Sequence, residues 1–384
     1  MMMNGAVKQA KRVMLVVGEA SGDLHGAHLV KSLHQLDPNI EIFGVAGECL
    51  KQERVRVIFD VARLTGMGLA ELVGNLKTLW GAYRLLKRVL REEKPNLLIL
   101  IDFPEFNLRL ARLAKEMQVP VLYYISPQVW AWRRRRIQKI ARLVDRMAVV
   151  FSFEEPLYER EGVQVSFVGH PLLDVVHPTQ TREATLMQQG LELSRRTIAL
   201  LPGSRRREIA YHLPPMLEAA DQLSRQMEVQ FILVRASTIE RRNLEELLAK
   251  TSATVSIAEG NTYNVLDASD MAWSASGTAT LETALMLRPM IIVYRVAWLT
   301  YVLARLLVNV KHIGMVNIIA GETVVPELIQ ADMTAERIVM ESQKVFQDSE
   351  LRRRIAKKLA EVREKLGSPG AAGRVADIAL SMMA

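Results

Sequence analysis

The stretch Thr197-Ile198-Ala199-Leu200-Leu201-Pro202-Gly203-Ser204-Arg205-Arg206-Arg207-Glu208 decides the fold class. A short apolar run, broken by Pro-Gly-Ser and followed by a helix-like segment, predicts a buried strand, a tight turn and a helix N-terminus. Such a turn suits phosphate. Gly203 lets the backbone approach closely, Ser204 offers a hydroxyl, the first helical turn offers unpaired N–H groups, and Arg205 adds a fork of charged donors. An ordinary surface loop with a solvated basic run would use the same residues, so the neighbouring segments have to decide.

Around it the second half alternates strands and helices. Strands are predicted at Thr197–Leu201, Gln230–Val234, Thr254–Ile257, Met271–Trp273 and Pro289–Tyr294, with a helix at Glu240–Ala249. Between the last two strands, Ser274-Ala275-Ser276-Gly277-Thr278-Ala279-Thr280-Leu281-Glu282 is another small-residue turn opening a helix. Two such N-termini after parallel strands of one domain point to a diphosphate site, with Ser276, Gly277 and Thr278 on the second turn. Glu282, one turn further on, is placed to hold ribose hydroxyls.

The first half has the same rhythm. Val13–Val17 reads as a buried strand running into Gly18-Glu19-Ala20-Ser21-Gly22-Asp23-Leu24-His25-Gly26 and a helix to about Gln35. The glycines stand four apart, which excludes the G-x-G-x-x-G dinucleotide fingerprint. Glu19, Ser21, Asp23 and His25 bring polar groups to the mouth of that strand, where open α/β sheets bind ligands, although Ser21 or Asp23 could equally cap the helix. The apolar run Asn96–Ile101 ends in Asp102-Phe103-Pro104-Glu105-Phe106-Asn107. A carboxylate at the carboxyl end of a central strand is a candidate general base, and Asp102 could instead cap the helix starting near Pro104. Further strands fall at Val119–Ile125, Met147–Phe151 and Val163–Val168, and Ser126-Pro127-Gln128-Val129-Trp130-Ala131-Trp132 sets two tryptophans beside four arginines.

Between these runs, Gly66–Leu90 carries Leu69, Leu72, Val73, Leu76, Leu79, Trp80, Tyr83 and Leu86 at helical spacing, with Lys77, Arg84, Lys87, Arg88 and Arg91 toward its end. It is either an amphipathic core-facing helix or an apolar face offered to lipid with the cations at head-group level. The expected domains are 1–172 and 196–384, joined by a polar linker at 173–195, with C-terminal helices that return to the first domain.

Composition bounds the rest. A chain of 384 residues, 49% apolar, can bury two cores, and its one cysteine, Cys49, permits no intrachain disulfide. The net charge of +8 gathers at Arg133–Arg136, Arg205–Arg207 and Arg352–Arg354. Basic patches suit nucleic acid, anionic lipid or sugar phosphates, but the few aromatics are not interleaved with them, so nucleic acid is not expected. Val13–Val17 is too short for a signal-peptide core, and Val296–Val310 is interrupted by Arg305, so no spanning helix is predicted. No D-x-D motif occurs, and neither a metal nor another cofactor is expected.

Gly18-Glu19-Ala20-Ser21-Gly22-Asp23, Asp102–Asn107, Ser126–Trp132, Phe167-Val168-Gly169-His170-Pro171-Leu172 and Leu201–Arg205, taken in order, resemble the lipid-A-disaccharide synthase family. The resemblance extends to Asn317-Ile318-Ile319-Ala320-Gly321 and Pro326-Glu327-Leu328. It implies an α/β fold of two Rossmann-like doubly wound domains facing across a cleft, the B-type glycosyltransferase architecture. The implied reaction is inverting transfer of diacylglucosamine from its UDP derivative to diacylglucosamine 1-phosphate, giving the β(1→6) disaccharide of lipid A and UDP. It further implies Asp102 as the essential aspartate, Arg205 as the essential arginine, and Glu19, Ser21 and Asn317 as further active-site positions. Diacylated substrates favour the lipid-facing reading of Gly66–Leu90, with Leu69, Leu72, Val73, Leu76 and Trp80 as contacts. The implied place is the cytoplasmic face of a bacterial inner membrane, on an anionic surface, with a homodimer allowed for. Phe103 departs from the small residue often found there, and Leu24-His25 from the commoner Ile-Leu. The rival readings are a UDP-sugar epimerase or peptidoglycan-type glycosyltransferase on the same fold, and a non-catalytic membrane-surface or nucleic-acid-binding module.

Overall fold

A computed structural model describes residues 10–65, 72–127, 136–298, 300–302 and 311–384, with the side chains of residues 20, 64, 65 and 72–76 outside the description. Leu69, Trp130, Trp132 and Arg133–Arg135, singled out from the sequence, therefore lie outside the described residues, as do the side chains of Leu72, Val73 and Leu76.

The chain divides into two compact units, residues 1–174 with 366–384, and residues 175–365. The 173–195 stretch, expected as linker, holds a helix at Arg182–Gln188 within the second unit. Thr181 caps that helix through its side chain, which accepts from Ala184 N–H.

In the first unit, β1 (Arg12–Val17), β2 (Glu41–Ala46), β3 (Arg56–Asp60), β4 (Leu97–Ile101), β5 (Val121–Tyr124), β6 (Arg146–Val149) and β7 (Gln164–Phe167) form a parallel sheet in the order β3-β2-β1-β4-β5-β6-β7. The run Leu97-Leu98-Ile99-Leu100-Ile101 is buried throughout, as a strand covered on both faces must be. Helices α1 (Ala20–Leu36), α2 (Leu72–Glu93) and α3 (Pro104–Glu116) follow β1, β3 and β4. The strands β2 and β3 were not among those predicted. β3 is a half-exposed edge strand whose apolar residues are only Val57, Ile58 and Phe59, and β2 carries Gly44 at a φ of +149° where its Cα faces the Leu15 carbonyl.

In the second unit, β8 (Arg196–Leu201), β9 (Val229–Arg235), β10 (Val255–Glu259), β11 (Met271–Ala275), β12 (Met290–Tyr294) and β13 (Glu327–Ile329) form a second parallel sheet in the order β10-β9-β8-β11-β12-β13. Its helices include α4 (Arg206–Ser224) after β8, α5 (Thr262–Ala268) after β10, α6 (Thr278–Leu285) after β11 and the short α7 (Met315–Ala320). The predicted doubly wound α/β pattern is present in both units.

The last helix, α8 (Ala371–Met382), belongs to the first unit, where it packs on α1. Arg374 fixes that return by donating to the Val168 carbonyl, and Asp174 accepts from Gly370 N–H.

Each sheet reverses its winding once, between β1 and β4 in the first unit and between β8 and β11 in the second. Open α/β sheets bind ligands outside the carboxyl ends of the strands at that reversal. The loops leaving those four strands carry Glu19, Asp102, Gly203-Ser204-Arg205 and Ser276-Gly277-Thr278.

Candidate functional site

At the β1/β4 reversal, Asp102 leaves an all-buried strand and turns sharply. Asp102 and Phe103 both have a φ of +48°, a region that costs a non-glycine residue roughly 1–3 kcal/mol. The corner is over-determined from below. Asn107 donates from its amide to the carbonyls of Ile101 at 3.2 Å and Asp102 at 2.7 Å, and the Tyr123 hydroxyl donates to the same Asp102 carbonyl. The N-cap of α3 is Phe103 and no side chain caps it, so the alternative reading of Asp102 as a cap does not hold. Burial pushes the Asp102 carboxyl above the usual carboxylate range, the nearby Glu19 charge adds to the rise, and a hydrogen bond from Phe103 N–H partly offsets it.

Glu19 is the exposed N-cap position of α1 and makes no capping bond through its side chain. Ser21 is exposed on the first turn of the same helix. Asp23 has a different task. It is buried, and its carboxylate accepts from Gly47 N–H at 2.6 Å and Cys49 N–H at 2.8 Å, tying α1 to the turn after β2. His25 and His170 are held down to about 4 and about 3 by burial, each lowered further by a neighbouring histidine, so both rings are neutral at pH 7.

At the β8/β11 reversal the Pro-Gly-Ser turn and α4 lie where the sequence predicts, yet the turn's own donors are engaged. The Glu208 carboxylate accepts from Ser204 N–H at 2.9 Å and Arg205 N–H at 3.2 Å. A Cβ on Gly203, whose φ is +119°, would lie 2.4 Å from Glu208 Oε2, so this position has room only for glycine. Arg206 pairs with Glu240 at 2.8 Å, whereas Arg205 is only loosely tied to Glu208 at 3.5 Å and keeps 74% of its side chain exposed. Arg205 is thus the forked donor projecting from the turn.

The second turn is open. Gly277 caps α6 with no side-chain bond, Gly277 and Thr278 are exposed, and a Cβ on Gly277 would meet nothing within 4 Å. That leaves an uncapped eight-residue helix facing solvent with its positive end. Ser276 secures the approach by donating its hydroxyl to the Ile313 carbonyl at 3.2 Å. Glu282 accepts from the Tyr263 hydroxyl at 3.1 Å, and burial raises its carboxyl against that bond.

Asn317 departs from the expected ligand contact. It is 0% exposed, and its amide donates to the Val325 carbonyl and the Glu327 carboxylate while its oxygen accepts from Val324 and Val325 N–H. In this arrangement the amide's hydrogen-bonding capacity is used inside the protein. Glu327 also accepts from Ile313 and Gly314 N–H, so the pair organises the loop into α7.

Sequence reasoning missed Tyr123, Tyr263 and His212. Buried tyrosine and histidine need partners for their polar tips, and that is the signal by which they could have been flagged. His212 accepts Arg295 N–H on Nε2 at 3.0 Å, which makes Nδ1 the donor to the Pro202 carbonyl at 2.8 Å and ties the phosphate-type turn to the exit of β12.

Helix α2 is divided in character. Ala82, Leu86, Val89 and Leu90 are buried in the first unit, and Tyr83 meets Phe106 edge-on at 6.3 Å. Trp80 stands 50% exposed with the Arg84 guanidinium 3.2 Å above its ring. The later part of the helix therefore packs as core, which corrects the lipid-facing expectation as far as Leu86 and beyond. Among the described residues no helix is long and apolar enough to cross a membrane, and no three His, Cys, Asp or Glu side chains group as a metal site would need.

Two doubly wound domains, one bearing a carboxylate and the other an arginine and an open helix N-terminus at their reversals, define the architecture shared by nucleotide-sugar glycosyltransferases and epimerases. Solved structures of that kind match the whole chain. A putative UDP-N-acetylglucosamine 2-epimerase from Listeria monocytogenes superposes with a TM-score of 0.64 at 15% identity over 95% of both chains. The glycosyltransferase of kitacinnamycin gives 0.65 at 14% identity over 97% of this chain and 99% of its own. These likenesses show the fold. Sequence relatives separate the two activities. A family model described as lipid-A-disaccharide synthetase matches residues 13–379. The lipid-A-disaccharide synthase of Geobacter metallireducens is 49% identical over 374 residues, 97% of each chain. That of Syntrophus aciditrophicus is 47% identical over 376 residues, 97% of this chain and 98% of its own. The chain belongs to the lipid-A-disaccharide synthase family, and is a glycosyltransferase of lipid A biosynthesis.

Proposed function

We propose that the chain transfers diacylglucosamine from its UDP derivative to the 6-hydroxyl of diacylglucosamine 1-phosphate in a single displacement. Asp102 accepts the hydroxyl proton as the acceptor oxygen bonds to the anomeric carbon, and the bond to UDP breaks with its electron pair leaving on the diphosphate. Arg205 and the open N-terminus of α6, with Ser276, Gly277 and Thr278, hold that developing charge, and Glu282, oriented by Tyr263, takes the ribose hydroxyls. Gly203 and Ser204 shape the turn that presents Arg205, and Glu19 sets the charge around the base.

The observation that carries this reading is Asp102 itself. It sits at the β1/β4 reversal with no capping role, and its carboxyl is raised toward the range where a base exchanges protons readily. Supporting a peripheral place on the cytoplasmic membrane face is the exposed Trp80 under Arg84, the pairing of aromatic and cation found at head-group level, on the helix that continues from the apolar stretch of Leu69, Leu72, Val73 and Leu76. Ser21 would stand on the acceptor side.

The test is product analysis after incubation with UDP-diacylglucosamine and diacylglucosamine 1-phosphate. The disaccharide 1-phosphate with one equivalent of UDP is expected. Epimerised donor, or UDP release that ignores the acyl chains, would overturn the assignment.

A further inference from the structure

Gly18 closes β1, and a Cβ built on it would lie 2.1 Å from the Cβ of Phe103 and 2.2 Å from its Cγ. The Phe103 side chain therefore sits directly on the exit of β1, the strand paired with β4 through Val17 and Ile101. Its ring stacks on Phe106 at 5.4 Å, and Phe106 in turn meets Tyr83 of α2. Phe103 has the same left-handed backbone as Asp102 and precedes Pro104, a position where helical backbone angles are further disfavoured. Nothing in the local sequence would choose this corner at Phe103; packing of the ring against a residue without a Cβ adds to the bonds that Asn107 and Tyr123 make to the Asp102 carbonyl. Asn107 and Tyr123 secure the backbone carbonyl of Asp102, and the N–H of Phe103 itself donates to the Asp102 carboxyl.

We propose that Phe103 is the positioning residue of the base: seated on Gly18 and stacked on Phe106, its ring fixes the 102–103 corner and so the N–H that the Asp102 carboxyl accepts. The proposal rests on Asp102 being the base. Glu19 at the head of α1 acts on that carboxyl by its charge, and the carboxyl in turn acts on the buried Tyr123 hydroxyl of β5, which Arg136 also faces. Replacing Phe103 removes none of these groups, so a change in titration reports the corner.

The test uses the full chain, with UDP release measured at saturating substrates across pH. Phe103→Ala is expected to lower kcat by about 10- to 100-fold, as a misplaced catalytic group does, with the KM for the UDP donor nearly unchanged. Its acid limb should move to higher pH, because a loosened corner weakens the Phe103 N–H bond that favours the carboxylate. Phe103→Leu should restore most of the rate. Gly18→Ala should act in the same direction by displacing the ring, and the double variant Gly18→Ala/Phe103→Ala should be no worse than the poorer single one. A Phe103→Ala protein with parental kcat and an unmoved acid limb would overturn the proposal. If that variant shows no cooperative melt, Gly18→Ala carries the same two outcomes. Asp102→Asn, run in parallel, separates the failures: full turnover there removes the base, whereas lost turnover there with normal Phe103→Ala removes only the positioning role.

Discussion

The Glu208 carboxylate lies 2.9 Å from the backbone nitrogen of Ser204 and accepts its hydrogen, so a side chain from the first turn of α4 occupies the donors that a phosphate would otherwise seek. A carboxylate in that place acts as the internal counterpart of an anion. It shapes the Pro-Gly-Ser turn and leaves the Arg205 guanidinium projecting from it.

Glu208→Ala should therefore release the turn, weaken UDP about tenfold through loss of a preorganised arginine, and cost about 1 kcal/mol of stability as a lost helix cap. Calorimetric titration with UDP checks this. Tighter UDP binding in the variant would show instead that Glu208 competes with the phosphate for the turn.

Glu19 raises the Asp102 carboxyl by its charge. In Glu19→Gln the ionised form of Asp102 becomes easier to reach, so its titration falls and the acid limb of the kcat profile should move to lower pH. The base is active when ionised, hence activity at the acidic end should be better retained in the variant. A limb that stays in place or moves upward would mean that Glu19 does not act on the base.

Asn317→Ala should behave as a stability variant. It strands the Val324 and Val325 N–H groups and removes a donor from Glu327, each buried loss costing about 1–3 kcal/mol. Thermal melting should drop by several degrees, at about 2–4 °C per kcal/mol for domains of this size. An unchanged melting temperature with a selective loss of UDP binding would return Asn317 to the ligand.

Two substitutions divide the roles of α2. Leu86→Ser puts a hydroxyl into a fully buried site and should cost several kcal/mol, seen as a large loss of thermal stability. Leu69, Val73 and Leu76 changed together to Ser should leave melting nearly unaltered while releasing the protein from anionic vesicles and raising the KM for the diacylated acceptor. A triple variant that unfolds, or that still binds vesicles and acceptor, would make the whole helix core.

Much of this was legible in the sequence because it depends on local patterns. Short apolar runs bounded by turn signals, such as Leu97–Ile101, read as strands covered on both faces, and the small-residue turns at 202–204 and 276–278 mark where chain direction changes. Asp102 and Arg205 were visible because both follow such runs. Other features depend on what meets across the sheet. Asn317 spent on Glu327 and His212 joining Pro202 to Arg295 are tertiary contacts spanning up to 83 residues, with no local signature, whereas Glu208 taking the turn's donors is a local capping contact. Asp23 illustrates the limit: a carboxylate in a glycine loop reads as ligand-facing or capping, yet it satisfies backbone donors of the turn after β2, a strand that sequence periodicity did not place.

The central claim is that Asp102 takes the acceptor proton, and Asp102→Asn tests it most directly. The amide keeps the shape of the side chain but cannot accept the proton, so kcat for UDP release in the presence of both substrates should fall by about 100-fold or more. UDP affinity, measured separately by calorimetry, should stay within about threefold, because the groups proposed to hold the diphosphate lie in the other unit. An Asp102→Asn protein that turns over at close to the parental rate would contradict the account.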